Sequence, residues 1–78
     1  MEAKERFGMT PLHWASYGNA IDVVKYLIDK GVDKEAKDND GYTPLHWASI
    51  CNAIDVVKYL IDKGIDKEVK NDSGETPL

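Results

Sequence analysis

The sequence predicts a mainly all-α fold in which short helix pairs stack into a solenoid, and two observations support this. The stretch TPLHWAS occupies residues 10–16 and returns unchanged at residues 43–49, which is 33 residues later. Each copy is followed by IDVVKYLIDK, whose apolar residues have the spacing of one helix face. A fixed period of this size is typical of repeat proteins, in which each unit buries its apolar face against a neighbour.

The repeat covers nearly the whole chain. Residues 8–40 align with residues 41–73 and differ from them at eight positions. We therefore divide the single domain, residues 1–78, into the end of a partial repeat (1–7), repeat 1 (8–40), repeat 2 (41–73) and the start of repeat 3 (74–78). The differences are Met9/Tyr42, Tyr17/Ile50, Gly18/Cys51, Val32/Ile65, Ala36/Val69, Asp38/Asn71, Asn39/Asp72 and Asp40/Ser73.

Each repeat contains the signals of a short first helix. Thr10 is a good N-cap residue, and Pro11 follows at the first helical position, where its missing N–H would have no partner anyway. Asn19 tolerates the left-handed backbone conformation that ends a helix. The same residues recur 33 positions later, so we predict this helix in both repeats.

A second helix and a polar arm complete each repeat. In IDVVKYLIDK, Val24, Leu27 and Ile28 share one face, and Gly31 ends the helix. The residues that follow, VDKEAKDNDGY, are polar and contain Asp-Gly. They predict an extended arm with a tight turn.

This pattern resembles a known family. The motif G-x-TPLH-x-A, followed by VV-x-x-L and a glycine with a period of 33 residues, is similar to the ankyrin repeat. The resemblance implies an ankyrin-repeat solenoid of helix-turn-helix units joined by β-hairpin-like loops. Asn19 and Ala20 replace the usual Gly-His, and Trp14 replaces the usual Leu. Glu35 stands where many members carry an Asn that oxygenases hydroxylate, so this modification is not expected.

Composition and charge argue against several partners. The formal net charge is −4, and acidic residues alternate with lysines without a basic block, so no nucleic acid partner is expected. No stretch approaches the roughly 18 apolar residues of a membrane span, so no membrane partner is expected. The single Cys51 cannot form an internal disulfide and no signal-peptide pattern opens the sequence, so we expect an intracellular, cytoplasmic protein.

Catalysis, metal binding and cofactor binding are not expected. His13 and His46 have a structural explanation, in which each imidazole exchanges hydrogen bonds with the nearby threonine hydroxyl and the loop backbone. Zinc requires clustered ligands, and the sequence does not cluster them. Cys51 lies five residues from His46, but no orienting group or oxyanion donors accompany the pair. We therefore predict a buried or half-buried thiol, no catalytic or metal site, no cofactor and no enzymatic activity.

Four aromatic residues recur in pairs. Trp14 and Tyr26 of repeat 1 return as Trp47 and Tyr59 of repeat 2. We expect these rings to pack in the core or between repeats, and ligand contact is the alternative.

The candidate partner-binding surface is drawn mainly from the positions at which the repeats differ, because a scaffold can vary residues that its own packing does not need. In the ankyrin family the loop tips and the first-helix face hold partner proteins, and the resemblance carries that role to these positions. Neutral drift at exposed positions is the alternative. The candidate residues are Met9, Tyr17, Gly18, Asn39, Asp40, Tyr42, Ile50, Cys51, Asp72, Ser73 and Glu75.

The sequence therefore favours a non-enzymatic protein–protein interaction scaffold that is a minimal fragment of a longer ankyrin array. One alternative is a structural or self-associating spacer, and another is a regulatory segment of a larger enzyme whose catalytic domain is absent. The identity of the protein partner is not encoded in any recognisable motif.

The two ends of the stack carry apolar residues and no polar capping unit. We expect Leu12 and Val24 at one end, and Leu45 and Val57 towards the other, to be only partly covered, which allows weak end-to-end self-association. Residues 74–78 are expected to complete the last turn and to lay the final leucine over the exposed end.

Overall fold

Residues 7–77 are described by the computed structural model, and they contain four helices and no strand. Helices α1 (Pro11–Tyr17) and α2 (Ile21–Asp29) form the first pair, and helices α3 (Pro44–Ile50) and α4 (Ile54–Asp62) form the second. α1 packs against α2 and α3, and α4 packs against α3 and α2. The predicted all-α solenoid of stacked helix pairs is thus confirmed.

Each first helix begins at the predicted threonine. Thr10 Oγ1 accepts a hydrogen bond from the His13 backbone N–H at 3.4 Å, and the Thr10 N–H donates to His13 Nδ1 at 3.1 Å. This reciprocal capping box fixes the helix start and the imidazole together. Thr43 and His46 repeat it with distances of 3.3 and 3.1 Å, so both predicted caps are confirmed.

The first helices end where asparagines adopt the left-handed conformation. Asn19 has a φ of 54° and Asn52 a φ of 56°, as their placement predicts, in a region that favours Asn and Gly. The chain then reverses, and the Ala20 N–H donates to the Ala15 carbonyl at 2.9 Å. This reversal brings α2 back against α1.

A tight turn follows each second helix and its arm. The Asp38 N–H donates to the Tyr42 carbonyl at 2.9 Å, and the Gly41 N–H donates to the Asp38 carbonyl at 3.1 Å. The Asn71 N–H and the Glu75 carbonyl repeat the outer bond at 2.9 Å. The expected hairpin-like loop is therefore a hydrogen-bonded turn, without strand pairing in the part of the chain that the structure describes.

Backbone hydrogen bonds join neighbouring turns. The Asn39 N–H donates to the Phe7 carbonyl, and the Asp72 N–H donates to the Asp40 carbonyl, both at 3.0 Å. Gly41 lies at the second junction with a φ of 82°, and a Cβ there would lie 2.8 Å from the Asp72 backbone nitrogen. Glycine is required at this position because the next turn approaches so closely.

Both helix pairs contribute to one continuous core between them. Partly buried apolar side chains of α2 and α4 pack around this core. The buried core residues are Leu12, Ala15, Val24, Leu45, Ala48, Ala53, Val56, Leu60 and Ile65.

Equivalent positions of the two repeats reveal which faces a neighbour covers. Val23 is 48% exposed, whereas its copy Val56 is fully buried, and Val32 is 38% exposed, whereas Ile65 is 5% exposed. These positions therefore face the preceding unit. For repeat 2 the preceding unit is repeat 1, which covers them.

At one position the residue of repeat 2 is the more exposed one. Ile54 is 51% exposed, whereas its copy in repeat 1, Ile21, is half-buried. This position therefore faces the following unit.

The prediction that Leu12, Val24 and Leu45 are only partly covered is wrong, because each has at most 1% of its surface exposed. Leu12 and Leu45 are buried in both repeats whichever neighbour is present, so they lie within their own helix pair. Val24 is covered by repeat 2, whereas Val57 is half-buried, as predicted. Leu78 lies outside the described residues.

We predict that Val56→Ala destabilises the chain by about 2 kcal/mol, because it removes two buried methyl groups and leaves a cavity. Val23→Ala makes the same change in the same local sequence at an exposed position and is expected to cost about 0.5 kcal/mol or less. Urea unfolding followed by far-ultraviolet circular dichroism measures both. Equal losses would contradict the assignment of position 56 to the contact between repeats.

Candidate partner-binding cleft

The first helices and the turns at residues 38–42 and 71–75 form one face of the molecule, which we call the turn face. A cleft of about 360 Å³ opens on this face between α1, α3 and the first turn, and we call it the first cleft. It is lined by Phe7, Met9, Trp14, Tyr17, Asp38, Asp40 and Trp47.

Three aromatic rings stand at steep angles to one another in the first cleft. The Tyr17 ring centroid lies 5.9 Å from that of Trp14 and 6.0 Å from that of Trp47, with interplanar angles of 83° and 74°. Such edge-to-face pairs are favoured by the ring quadrupoles. Trp14 and Tyr17 are 45% and 51% exposed, so these rings remain accessible to a ligand.

One carboxylate ties the first turn to the wall of the cleft. Asp38 Oδ1 accepts hydrogen bonds from the backbone N–H groups of Asp40 and Tyr42, both at 2.9 Å. Its other oxygen, Oδ2, accepts the indole N–H of Trp47 at 2.9 Å. Asp38 therefore fixes the turn and the Trp47 indole in one arrangement, and Asp40 adds a second, exposed carboxylate to the cleft lining.

The histidines connect this wall to the preceding helix. His13 Nδ1 accepts the Thr10 N–H, so the proton is assigned to Nε2, which donates to the Tyr42 carbonyl at 2.9 Å. The Tyr42 ring in turn stacks on Trp47 with a centroid separation of 5.1 Å and a tilt of 31°. The predicted structural role of the histidines, bonded to the threonine and the loop backbone, is confirmed.

A second cleft of about 250 Å³ occupies the equivalent place one repeat further on. Ile50 stands there in place of Tyr17, and Asn71 in place of Asp38. Asn71 Oδ1 holds the turn in the same way, accepting the N–H groups of Ser73 at 2.9 Å and of Glu75 at 3.0 Å. The lining residues are Tyr42, His46, Ile50, Asn71, Glu75, Thr76 and Pro77.

Comparison with known families agrees with this geometry. A family model described as "Ankyrin repeats (3 copies)" matches residues 1–78. The chain belongs to the ankyrin repeat family. A search of curated proteins found no match to it. The match confirms the family inferred from the TPLH motif. Ankyrin repeats are generally non-catalytic modules that bind other proteins.

The described part of the ankyrin chain has neither a cluster of metal ligands nor a membrane-spanning helix. Among residues 7–77, no three side chains of His, Cys, Asp or Glu converge as metal ligands. Within the same range, no helix combines the length and the apolar character needed to cross a bilayer.

The candidate residues fall into three groups. Tyr17 and Asp40 line the first cleft, together with Met9, which is only 6% exposed. Tyr42, Ile50 and Glu75 line the second cleft. The candidates that line neither cleft are Gly18, Asn39, Cys51, Asp72 and Ser73. Their part in partner binding stays a prediction.

The first cleft contains residues that the candidate partner-binding surface left out. Trp14 and Trp47 are identical in the two copies, so they are not among the positions at which the repeats differ. Asp38 does differ between the repeats, and its exchange for Asn71 is the sequence feature that indicates this residue. Phe7 lies before the first aligned residue and carried no signal of this kind.

The predicted packing of the repeated aromatic residues is correct in one repeat only. Trp47 contacts the Tyr17 ring of repeat 1, and the Tyr59 ring lies 5.7 Å from Lys25 Nζ of repeat 1, so both pack between repeats. For Trp14 and Tyr26 the prediction is wrong, since they are 45% and 62% exposed. The reason is that no preceding helix pair within residues 7–77 covers them.

We predict that Asp38→Ala destabilises the chain by about 2 kcal/mol, because three N–H donors lose their acceptor. Asp38→Asn is expected to cost about 0.5 kcal/mol, because Asn71 already holds the equivalent turn. Urea unfolding measures both losses. In both variants the indole N–H of Trp47 is expected to exchange faster with water by NMR, with that of Trp14 as the internal control. An Asn variant as unstable as the Ala variant would show that the turn requires the charge.

Proposed function

We propose that this ankyrin chain is a non-enzymatic scaffold that binds a partner protein across its turn face. The observation that carries the proposal is the first cleft, in which the large apolar side chains of Trp14 and Tyr17 are 45% and 51% exposed. Trp and Tyr dominate the energetics of protein interfaces because they bury much area with few rotatable bonds. Their placement around a cleft supports binding.

The cleft is held in one arrangement before any partner arrives. Asp38 fixes the turn and Trp47, and His13 fixes the Tyr42 carbonyl. Rigid groups of this kind lose little conformational entropy on binding, so more of the contact energy contributes to affinity. The exposed turn tips extend the same surface beyond the cleft.

The two repeats offer different chemistry on one scaffold. Four of the eight exchanges involve residues that line the first cleft. The remaining sequence of each repeat, which supplies the caps and the core, is nearly unchanged. These four exchanges are Met9/Tyr42, Tyr17/Ile50, Asp38/Asn71 and Asp40/Ser73. This pattern supports specificity located on the turn face.

We also propose that the chain is a fragment of a longer ankyrin array with an intracellular, cytoplasmic location. The longer array is supported by the exposure of Val23 and Ile54, because their copies in the other repeat are buried or half-buried by a neighbouring repeat. The single cysteine supports the second part.

Two exposed tyrosines provide a matched test of the turn face. The immobilised chain is used to isolate a partner, and its dissociation constant is then measured by calorimetry for Tyr17→Ala and Tyr26→Ala. Tyr17→Ala is expected to weaken binding about tenfold or more, and Tyr26→Ala less than about threefold. Tyr17 lies on the turn face, whereas Tyr26 lies on α2 and contacts Lys30. The reverse order would place the partner on the second helices.

A self-associating spacer is the second candidate. Each end of the stack exposes one of the two faces that meet in the contact between repeats 1 and 2. The position of Val23 is buried when it lies against a preceding repeat, as Val56 is. The position of Ile54 is half-buried when a following repeat covers it, as Ile21 is. A second copy of the chain can therefore supply the missing neighbour through a head-to-tail contact.

We predict that the sedimentation coefficient of the chain rises over a hundredfold increase in concentration. Val23→Asp and Ile54→Asp are each expected to abolish the rise, because a charge would be buried in the contact. An equimolar mixture of the two variants keeps one intact pair of faces and is expected to form dimers and nothing larger. A wild-type coefficient that does not change with concentration would exclude this second candidate.

A further inference from the structure

The first cleft joins aromatic ring faces with carboxylates, which is the chemistry of a site for an organic cation. Trp14, Tyr17 and Trp47 form three steep walls with neighbouring ring centroids about 6 Å apart. A cation within about 6 Å of a ring centroid is attracted by the negative ring face. Asp38 and Asp40 add negative charge to the same lining.

We propose that the first cleft takes the side chain of a lysine from the partner protein. The proposal rests on the scaffold function proposed above, since it specifies which residue of the partner enters the cleft. The ammonium group lies among the three rings and donates hydrogen bonds towards Asp40. The apolar stem of the lysine packs against the ring edges and Met9, which lies in the cleft lining.

Charge supports a basic occupant. The chain has a formal net charge of −4. Within residues 7–77, the contacts of Asp38 are N–H groups of the turn and of Trp47, and neither Asp38 nor Asp40 has an ion pair with a lysine or an arginine. A lysine that enters the cleft therefore meets carboxylates that no cation of residues 7–77 neutralises.

The geometry favours lysine over arginine. A planar guanidinium stacks on one ring face and needs both oxygens of a carboxylate for its paired N–H groups. The walls of this cleft stand at 74° and 83° to one another, so a guanidinium that stacks on one ring turns its edge towards the next. Both oxygens of Asp38 already accept hydrogen bonds, so a paired contact is open at Asp40 alone among the described carboxylates of the lining. A compact ammonium uses three ring faces and a single carboxylate oxygen.

The chain already makes this kind of contact on its own surface. Lys30 Nζ lies 5.4 Å from the centroid of the Tyr26 ring. Lys63 and Lys25 place their Nζ atoms 5.3 and 5.7 Å from the centroid of Tyr59. Lysine ammonium groups therefore lie near single tyrosine rings here, and the first cleft offers three rings together.

The second cleft provides an internal comparison. Ile50 has no aromatic face, and Asn71 and Ser73 are neutral where repeat 1 has two carboxylates. Its remaining carboxylate, Glu75, accepts a hydrogen bond from Asn71 Nδ2 at 3.0 Å. The lysine site is therefore specific to the first cleft.

The test titrates the chain with the peptide acetyl-Gly-Lys-Gly-amide and follows the indole N–H signals by NMR. Both tryptophans of the sequence line the first cleft, so these two signals report on it directly. The lysine peptide is expected to shift both signals with a saturable curve. The matching norleucine peptide, which lacks only the ammonium, is expected to bind at least about tenfold more weakly, and the arginine peptide more weakly than lysine.

Substitutions that place the repeat 2 residue at the equivalent position of repeat 1 distinguish a loss of lysine binding from a loss of folding. Tyr17→Ile, Asp38→Asn and Asp40→Ser each introduce the residue that the equivalent position already carries. Each is expected to weaken lysine binding at least about fivefold while the far-ultraviolet spectrum is retained. Ile50→Ala in the second cleft is the control and is expected to leave lysine binding unchanged.

Three results overturn the proposal: no shift at about 10 mM lysine peptide, equal binding of the norleucine peptide, or tighter binding of the arginine peptide. If one of these results occurs and Tyr17→Ala still weakens binding of the isolated partner protein, only the lysine assignment fails. If Tyr17→Ala leaves partner binding unchanged while the lysine peptide binds as expected, the scaffold proposal fails and the cation site remains.

Discussion

The structure depends on one imidazole in each repeat. His13 accepts the Thr10 N–H at Nδ1, which closes the cap of α1, and donates from Nε2 to the Tyr42 carbonyl at 2.9 Å. A single buried ring therefore fixes a helix start and the turn that leads into the next repeat. A buried imidazole with both nitrogens bonded has one favourable orientation, because any other would leave polar groups without partners. His46 performs the same function towards the Glu75 carbonyl at 2.9 Å.

The first cleft follows from that constraint. Once the Tyr42 carbonyl is fixed, Asp38 accepts the N–H groups of the turn and has one oxygen left for the Trp47 indole. Trp47 is thereby held beside Tyr17, and the Tyr17 ring stays exposed because no helix within residues 7–77 covers it there. A helix pair of this family buries its core between helices, so the turn face is free to carry side chains that the core does not need. The exchange of Tyr17 for Ile50 changes such a side chain without changing the caps or the core.

Several elements could be predicted from the sequence because their causes are local. The threonine caps depend on residues three positions apart, and the left-handed conformation at Asn19 depends on that residue's own tolerance of positive φ. Burial was predicted less well. Val24 was expected at an exposed end, yet Val23 is the exposed one, since a difference of one residue rotates a side chain by about 100° around a helix. Sequence spacing gives the amphipathic face but leaves open which neighbour covers each edge of it.

The amino-acid sequence by itself determined the period, the helix starts and ends, the family and the turn glycines, because each is set by short-range chemistry or by the repeat itself. Only the tertiary structure decided that Trp14, Tyr17 and Trp47 meet with Asp38 and Asp40 in one cleft. These residues come from two helices and a turn in different repeats, and their meeting depends on how one repeat packs on the next. Identical tryptophans in two copies look equivalent in the sequence, and they differ in the structure because, within residues 7–77, only Trp47 has a preceding helix pair to contact.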